Sequence, residues 1–195
     1  SGHKVEIHGS GRTDKGVHAM GQVASFKLET EKTDAELQSY INRYLPEDIA
    51  VTELSQAEER FHARLNAKKK TYMYRIQNSS VHNVFENRYM FLSEETLDVE
   101  KMQSAAGLFL GEHDFLGFSS VKRSKKSTVR TIYDISVERM GDEVRILVSG
   151  NGFLYNMVRI ISGTLLEIGM GERDADSIER VFETKNREMA GVTLP

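Results

Sequence analysis

The chain has no cysteine, no tryptophan and only 2 prolines among its 195 residues. Without cysteine there is no disulfide framework and no thiolate metal site, and an intracellular, cytoplasmic setting is the expectation. With so little proline, long regular elements should dominate. No apolar run reaches membrane-spanning length, which excludes an integral helical membrane protein. No signal-peptide pattern is visible, and the chain opens on Ser1 without an initiator Met. Internal repeats, low-complexity segments and flexible linkers are also missing. What is present is globular in composition, with 39% hydrophobic and 28% charged residues. Those fractions set aside a disordered tail, a collagen-like chain and a coiled coil. The length suits one large domain or two small ones, with enough chain to bury a core.

The net charge of −3 argues against a nucleic-acid binder, but the distribution of charge argues the other way. Residues 60–75 (RFHARLNAKKKTYMYR) hold six Lys/Arg and no acid, and residues 122–130 (KRSKKSTVR) hold five and no acid. An acidic body with two concentrated basic segments suits a polyanion reader, provided the fold brings the segments together. A lone Lys run is more often a solvated loop. Here one segment interleaves its cations with Phe61, His62, Tyr72 and Tyr74, the residue types that stack bases and hold phosphates, and this points toward RNA.

Alternation predicts strands over residues 4–8, 21–28, 48–54 and 71–77, the last placing Tyr72, Tyr74 and Ile76 on one face. Thr33 and Glu36 form a capping box for a helix that runs to about Leu45 and stops at Pro46, with Leu37, Tyr40, Ile41 and Tyr44 at helical spacing. Residues 98–110 read as a helix. Residues 131–139 and 143–149 flank Gly141-Asp142, a hairpin signal. Residues 154–168 are apolar nearly all round, which predicts a helix laid across a sheet and closed by Gly169. Residues 176–184 form a short amphipathic helix. The mixed order predicts an α+β fold, a mainly antiparallel mixed sheet with helices packed on it.

The loop after the first strand, GSGRTDKG over residues 9–16, is not a nucleotide fingerprint. A dinucleotide motif needs Gly where Asp14 stands, and a phosphate loop needs Lys and Ser/Thr where Val17 and His18 stand. What remains is a tight, glycine-rich loop between two strands that carries Arg12, Thr13 and Asp14, a good mount for a reactive carboxylate. On spacing alone an ordinary Asp turn with an Arg neighbour is the favoured reading. The six His residues show no recognised ligand spacing: His3 and His8 point to opposite faces, and His113-Asp114 resembles a loop acid pair. No metal site is expected. No Gly-x-Ser-x-Gly elbow is present.

Several blocks together carry a resemblance. GSGRTDKGVHAMG (residues 9–21), YLPEDIAV (44–51), RFHARLNAKKKTYMYRI (60–76), GEHDFLGFSS (111–120), VRTIYDI (129–135) and NGFLYNMVRIISGTLLEIG (151–169) resemble, in order, the blocks of the tRNA pseudouridine synthase A family. The resemblance covers almost the whole chain. It implies a pseudouridine synthase fold and an isomerase that converts uridine to pseudouridine at adjacent positions of the tRNA anticodon stem-loop. It also implies no cofactor, no metal and a homodimer. The carboxylate of the Arg-Thr-Asp motif is the family's nucleophile, which falls on Asp14. The base-stacking tyrosine falls on Tyr72 rather than Tyr74. The arginine near the catalytic carboxylate falls on Arg159, and Arg12 is placed to pin displaced RNA. The family's tRNA contacts fall on Phe61, His62, Ala63, Arg64 and Leu65, and on Lys122, Arg123, Ser124, Lys125 and Lys126.

The chemistry fits this assignment. Breaking the C1′–N1 bond, rotating the uracil and rejoining it through C5 involves no redox change and no group transfer, so a cofactor has no task. A carboxylate can attack the sugar carbon or support loss of a sugar proton. The target base must first be flipped out of its stack. Bland readings stand beside these: Tyr72 as a core tyrosine, and Arg159 as a buried ion-pair partner. The family also has an earlier strand and helix and a later closing strand. The expectation is therefore a catalytic-domain fragment truncated at both ends, with residues 1–57 from its N-terminal half and 58–195 its C-terminal half. Lys125 and Lys126 stand where many members carry Ser-Arg, which keeps charge but weakens a bidentate phosphate grip. The alternative function is a tRNA-binding module that keeps the fold and has lost catalysis. An Asp-nucleophile hydrolase is disfavoured by the lack of metal-ligand spacing.

Overall fold

The computed structural model describes residues 4–122 and 126–195, so His3, Arg123, Ser124 and Lys125 lie outside the described residues. The chain divides into two compact units, Ser1–Ala67 and Lys68–Pro195.

In the first unit, β1 (Ile7–Gly9) and β2 (Ala24–Phe26) pair antiparallel, with Ile7 opposite Phe26 and Gly9 opposite Ala24. Both predicted strands are shortened to three residues, and the first is displaced from 4–8 so that it takes in Gly9, which the sequence pattern places in the loop. Helix α1 (Asp34–Tyr44) starts at the expected capping box: the Thr33 hydroxyl accepts the Glu36 N–H, and the Glu36 carboxylate accepts the Thr33 N–H at 2.9 Å. Leu45 turns extended at ψ 150° because Pro46 follows it. The strand predicted over residues 48–54 does not form. Side chains of α1 take the place of a neighbouring strand: Val51 donates its N–H to Asn42 Oδ1 at 2.7 Å, and its carbonyl accepts from Asn42 Nδ2 and Gln38 Nε2, both at 2.9 Å. Amides on a helix, not a strand neighbour, satisfy the backbone there.

The second unit holds a five-stranded sheet in the order β4-β3-β7-β6-β5, formed by β3 (Lys70–Asn78), β4 (Phe91–Ser93), β5 (Gly111–Asp114), β6 (Val129–Met140) and β7 (Glu143–Gly150). Only the β3–β4 pair is parallel. The mixed, mainly antiparallel sheet with helices on it is the α+β fold expected. The Gly141-Asp142 turn joins β6 to β7 as predicted, with Met140 opposite Glu143. A bulge at Tyr133 shifts the register between Ile132 and Asp134. Neither edge strand is anticipated by the sequence pattern, and His113-Asp114 lies at the end of β5 rather than in a loop. Strands of three and four residues are too short for alternation to show.

Helix α2 (Val99–Ala106), capped by Asp98, and helix α3 (Met157–Gly169) build the core with the sheet. Ile76, Val144, Ile146, Val148, Ile135 and Val137 come from alternate strand positions and meet Met102, Ile160, Ile161 and Leu165. The end of α3 differs from expectation in an informative way. Gly171, at φ +77°, is the residue that closes the helix. Its N–H reaches the Ile168 carbonyl at 3.1 Å, and the Glu172 N–H reaches Glu167 at 2.9 Å, a Schellman closure. Gly169 lies inside the helix and serves packing: a Cβ there would lie 2.6 Å from Met102 Sδ. Helix α4 (Ser177–Thr184) follows. Among the described residues no helix is long and apolar enough to cross a membrane.

Candidate functional site

In the first unit the loop from β1 to β2 carries Arg12, Thr13 and Asp14, all exposed. The Ser10 N–H donates to the Val23 carbonyl at 2.8 Å and fixes the base of this loop. The Val17 N–H donates to the Asp14 carbonyl at 3.1 Å, which makes residues 14–17 a tight turn. Gly16, third in that turn, sits at φ +87°, a conformation that disfavours any side chain. Asp14 is thus an exposed residue on a defined turn between two strands.

The segment around residues 61–65 docks at the base of the same ribbon. The His62 N–H donates to Asn66 Oδ1 at 2.7 Å, and the Asn66 N–H returns to the His62 carbonyl at 3.0 Å. His62 Nδ1 accepts the N–H groups of Arg64 and Leu65 at 3.2 and 3.4 Å, so the ring proton belongs on Nε2. The His62 ring lies 4.6 Å from that of His8 on β1, and the Ala63 N–H donates to Ser25 Oγ of β2 at 3.1 Å. His8 and Ser25 are each one residue from the point where the Asp14 loop leaves the strands. Ala63 is buried, whereas Phe61 and Leu65 are 41% and 79% exposed and Arg64 is exposed. A short turn thus anchors on Ala63 and leaves two apolar side chains and one cation open beside the carboxylate loop.

In the second unit, Tyr72 lies on β3 opposite Val148, with its ring 5.0 Å from that of Phe153 at 84°. The edge-on contact sets the direction in which the Tyr72 ring faces. Arg159, in the first turn of α3, donates to Asn156 Oδ1 at 3.2 Å. Asn156 adopts φ +60° and donates from Nδ2 to Ser120 Oγ at 3.0 Å, while the Ser120 N–H donates to the Tyr155 carbonyl at 3.0 Å. The approach to Lys122 is thereby tied to the start of α3. Burial pushes the Tyr74 phenol up to about 12, and the positive charge of Arg159 opposes the rise; the Tyr74 hydroxyl donates to the Pro195 carbonyl at 3.0 Å. Tyr72 is two residues along the same strand face.

The strand register gathers these groups at one end of the sheet. Lys70 opens β3 opposite Gly150 at the close of β7, Ile132 of β6 also faces Gly150, and Asp114 at the end of β5 faces Val129. The loops that carry Lys122 and Lys126, both exposed, and Phe153 and Asn156 leave from this end. Phe153, Asn156 and Ser120 lie within the resembling blocks 151–169 and 111–120 but are not singled out there, and the positive φ of Asn156 leaves no compositional signal. Two open grooves of about 360 and 400 Å³ in this unit are lined by neither Tyr72 nor Arg159. Among the described residues no group of three His, Cys, Asp or Glu side chains could hold a metal ion.

The profile of a family described as tRNA pseudouridine synthase matches residues 1–66 and 105–195. The tRNA pseudouridine synthase A of Bacillus sp. (strain KSM-64) is 48% identical over 190 residues, covering 97% of this chain and 78% of that protein. A tRNA pseudouridine synthase A 2 of Bacillus cereus is 45% identical over 186 residues, covering 95% of this chain and 76% of that protein. The tRNA pseudouridine synthase A of Brevibacillus brevis is 43% identical over 195 residues, covering 100% of this chain and 80% of that protein. Asp14 and Arg159 fall within the profile match. Tyr72 falls between its two segments, in a stretch that the Brevibacillus alignment spans.

Proposed function

The chain belongs to the tRNA pseudouridine synthase family, and from that membership we propose that it isomerises uridine to pseudouridine in the anticodon stem-loop of tRNA, with the Asp14 carboxylate as nucleophile. The observation that supports this best is the exposed Asp14 turn with the basic, aromatic 61–65 turn anchored at the base of the same strand pair. An exposed turn suits a substrate too large to enter a closed cavity.

In this reading the target uridine is flipped out of the stack, and Tyr72, oriented by Phe153, takes the face of the uracil. An Asp14 oxygen attacks C1′ as the C1′–N1 bond breaks, and the bond electrons leave with the uracil. The uracil turns so that C5 faces C1′. The C1′–C5 bond forms, the Asp14–C1′ bond breaks, the C5 proton passes to solvent and N1 gains a proton. Nothing is oxidised or reduced. Arg159 helps to hold the negative charge of the attacking carboxylate and the departing uracil. Arg12 takes the RNA displaced by flipping. Phe61, His62, Ala63, Arg64 and Leu65, and the loop with Lys122 and Lys126, hold the stem-loop by stacking and phosphate contacts; Arg123, Ser124 and Lys125 belong to the same assignment. A homodimer in the cytoplasm is part of the same proposal, and sedimentation would read the oligomeric state.

The test is tritium release from tRNA labelled at C5 of uridine, since the C5 proton leaves in every turnover. Release that disappears in Asp14→Asn is the expected result. Release that persists in Asp14→Asn overturns the nucleophile. Tight tRNA binding with no release from the wild-type chain favours the second reading, a tRNA-binding module without catalysis.

A further inference from the structure

Asp114 is the last residue of β5, and the chain between it and Val129 at the start of β6 is the loop that carries Lys122 and Lys126. Its carboxylate holds both described ends of that loop. Oδ1 accepts the Leu116 N–H at 3.2 Å on the outgoing side and the Thr128 hydroxyl at 2.5 Å on the returning side. The backbone closes the same gap, with the Phe115 N–H donating to the Thr128 carbonyl at 3.1 Å. Oδ2 pairs with Lys185 Nζ at 2.8 Å, from the left-handed residue that ends α4. Phe115 and Phe118 are fully buried beneath this clamp, while Lys122 and Lys126 are exposed beyond it.

Burial by itself would raise the Asp114 carboxyl. The hydrogen bonds from Lys185, Thr128 and Leu116 outweigh it and hold the group below the usual carboxylate range. An acid at the root of a cationic loop is a poor choice if attraction of phosphate were the only requirement. Here both oxygens are engaged by internal partners, and Lys185 balances the charge.

We infer that Asp114 is a positioning residue for RNA binding: it ties Leu116 to Thr128 and so holds Lys122 and Lys126 where they meet the phosphate backbone, without touching RNA itself. The inference rests on the reading in which this loop contacts tRNA. A loop already held in place loses less conformational freedom on binding, and the gain appears as affinity.

Three variants of the full chain test this, each assayed for tritium release and for tRNA binding over a range of salt. Asp114→Asn keeps the shape of the side chain and removes its charge. The expected result is a KM for tRNA raised about tenfold with kcat within about twofold, and a plot of log affinity against log salt whose slope falls by about one phosphate contact. Thr128→Val should shift KM in the same direction, by less. The double variant Lys122→Ala/Lys126→Ala should lower the salt slope at least as far. If Asp114→Asn lowers kcat and the melting temperature together and leaves the salt slope unchanged, Asp114 is structural only and the inference falls. If the double lysine variant leaves both KM and slope unchanged, the loop does not meet tRNA, and the underlying reading fails with it.

Discussion

Glu143 shows how much one side chain can organise on the open face of the sheet. Its carboxylate takes Arg75 at 2.6 Å and Arg145 at 2.7 Å, while Arg75 also reaches Glu86 at 2.8 Å. Arg75 and Arg145 are direct cross-strand neighbours, two like charges that would repel without the acid beside them. Hydrogen bonds from Arg75 and then Arg145 pull the Glu143 carboxyl down from 4.5 to about 2. A depressed carboxyl stabilises the fold above its unfolded value and loses that contribution as pH falls toward its folded value. Glu143→Gln should therefore cost about 2 kcal/mol at neutral pH. The gap to wild type should narrow as pH drops from 4.5 toward 2. Urea midpoints measured from pH 7 downward check this, and a gap that stays constant would show that the ion pairs contribute nothing. Tyr72 offers a second residue-level outcome. If its ring stacks on the flipped base, Tyr72→Phe should retain most activity, whereas Tyr72→Ala should lose about tenfold to a hundredfold in kcat/KM, in line with the worth of base stacking. A Phe variant as impaired as the Ala variant would assign the role to the hydroxyl. Asp14, Tyr72 and Arg159 are proposed from the resemblance of the sequence blocks that contain them, since spacing alone favours an ordinary Asp turn. The clamp of Asp114 cannot be read from sequence, because Thr128 and Lys185 are far from it in the chain and only the folded sheet brings them together.

Among the elements, those with local signals are legible: the Thr33/Glu36 box, the Gly141-Asp142 hairpin and the apolar helix α3 all stand where the pattern puts them. Elements that depend on distant partners are not, which is why residues 48–54 read as a strand although Asn42 and Gln38 take its hydrogen bonds. The glycines at the end of α3 divide along the same line. The pattern names Gly169 as the stop, and only the folded structure shows that Gly171 closes the helix while Gly169 packs. Gly171→Ala should cost about 1 kcal/mol, the strain of placing a Cβ at positive φ, with no change in core contacts. Gly169→Ala should cost about 1–3 kcal/mol by overpacking. Its Cβ would press on Met102 Sδ and Cγ, at 2.6 and 2.8 Å. The two mechanisms separate in a double-mutant cycle: Met102→Ala should relieve Gly169→Ala, so that the pair loses less than the sum, and should leave Gly171→Ala additive. Additivity for Gly169→Ala would mean that Met102 moves aside without cost.

At the scale of the whole molecule, buried apolar side chains are shared very unevenly. Among the described residues, Ala63 is the one buried residue of Ser1–Ala67, whereas the second unit buries all the rest, from Ile76 to Leu194. In the first unit Ile7, Met20, Val23, Tyr44 and Leu65 are each more than half exposed. The strand pair there has three residues a side, and α1 buries no side chain fully. Composition could not reveal this, since the first unit's apolar residues alternate and repeat as a core would require. Local stability follows buried apolar contact, so the unit that carries Asp14 should open more readily than the unit that carries Tyr72 and Arg159. Native-state hydrogen exchange should find β3, β6, β7 and α3 protected to the global unfolding free energy, and β1, β2 and α1 exchanging through openings that cost several-fold less. If tRNA closes on the Asp14 turn as proposed, protection of residues 7–26 and 61–65 should rise on adding tRNA, while that of β6 and β7, already near the global limit, should barely change. Uniform protection across both units without RNA would mean that they unfold as one cooperative body, and that the exposed apolar side chains of the first unit do not weaken it.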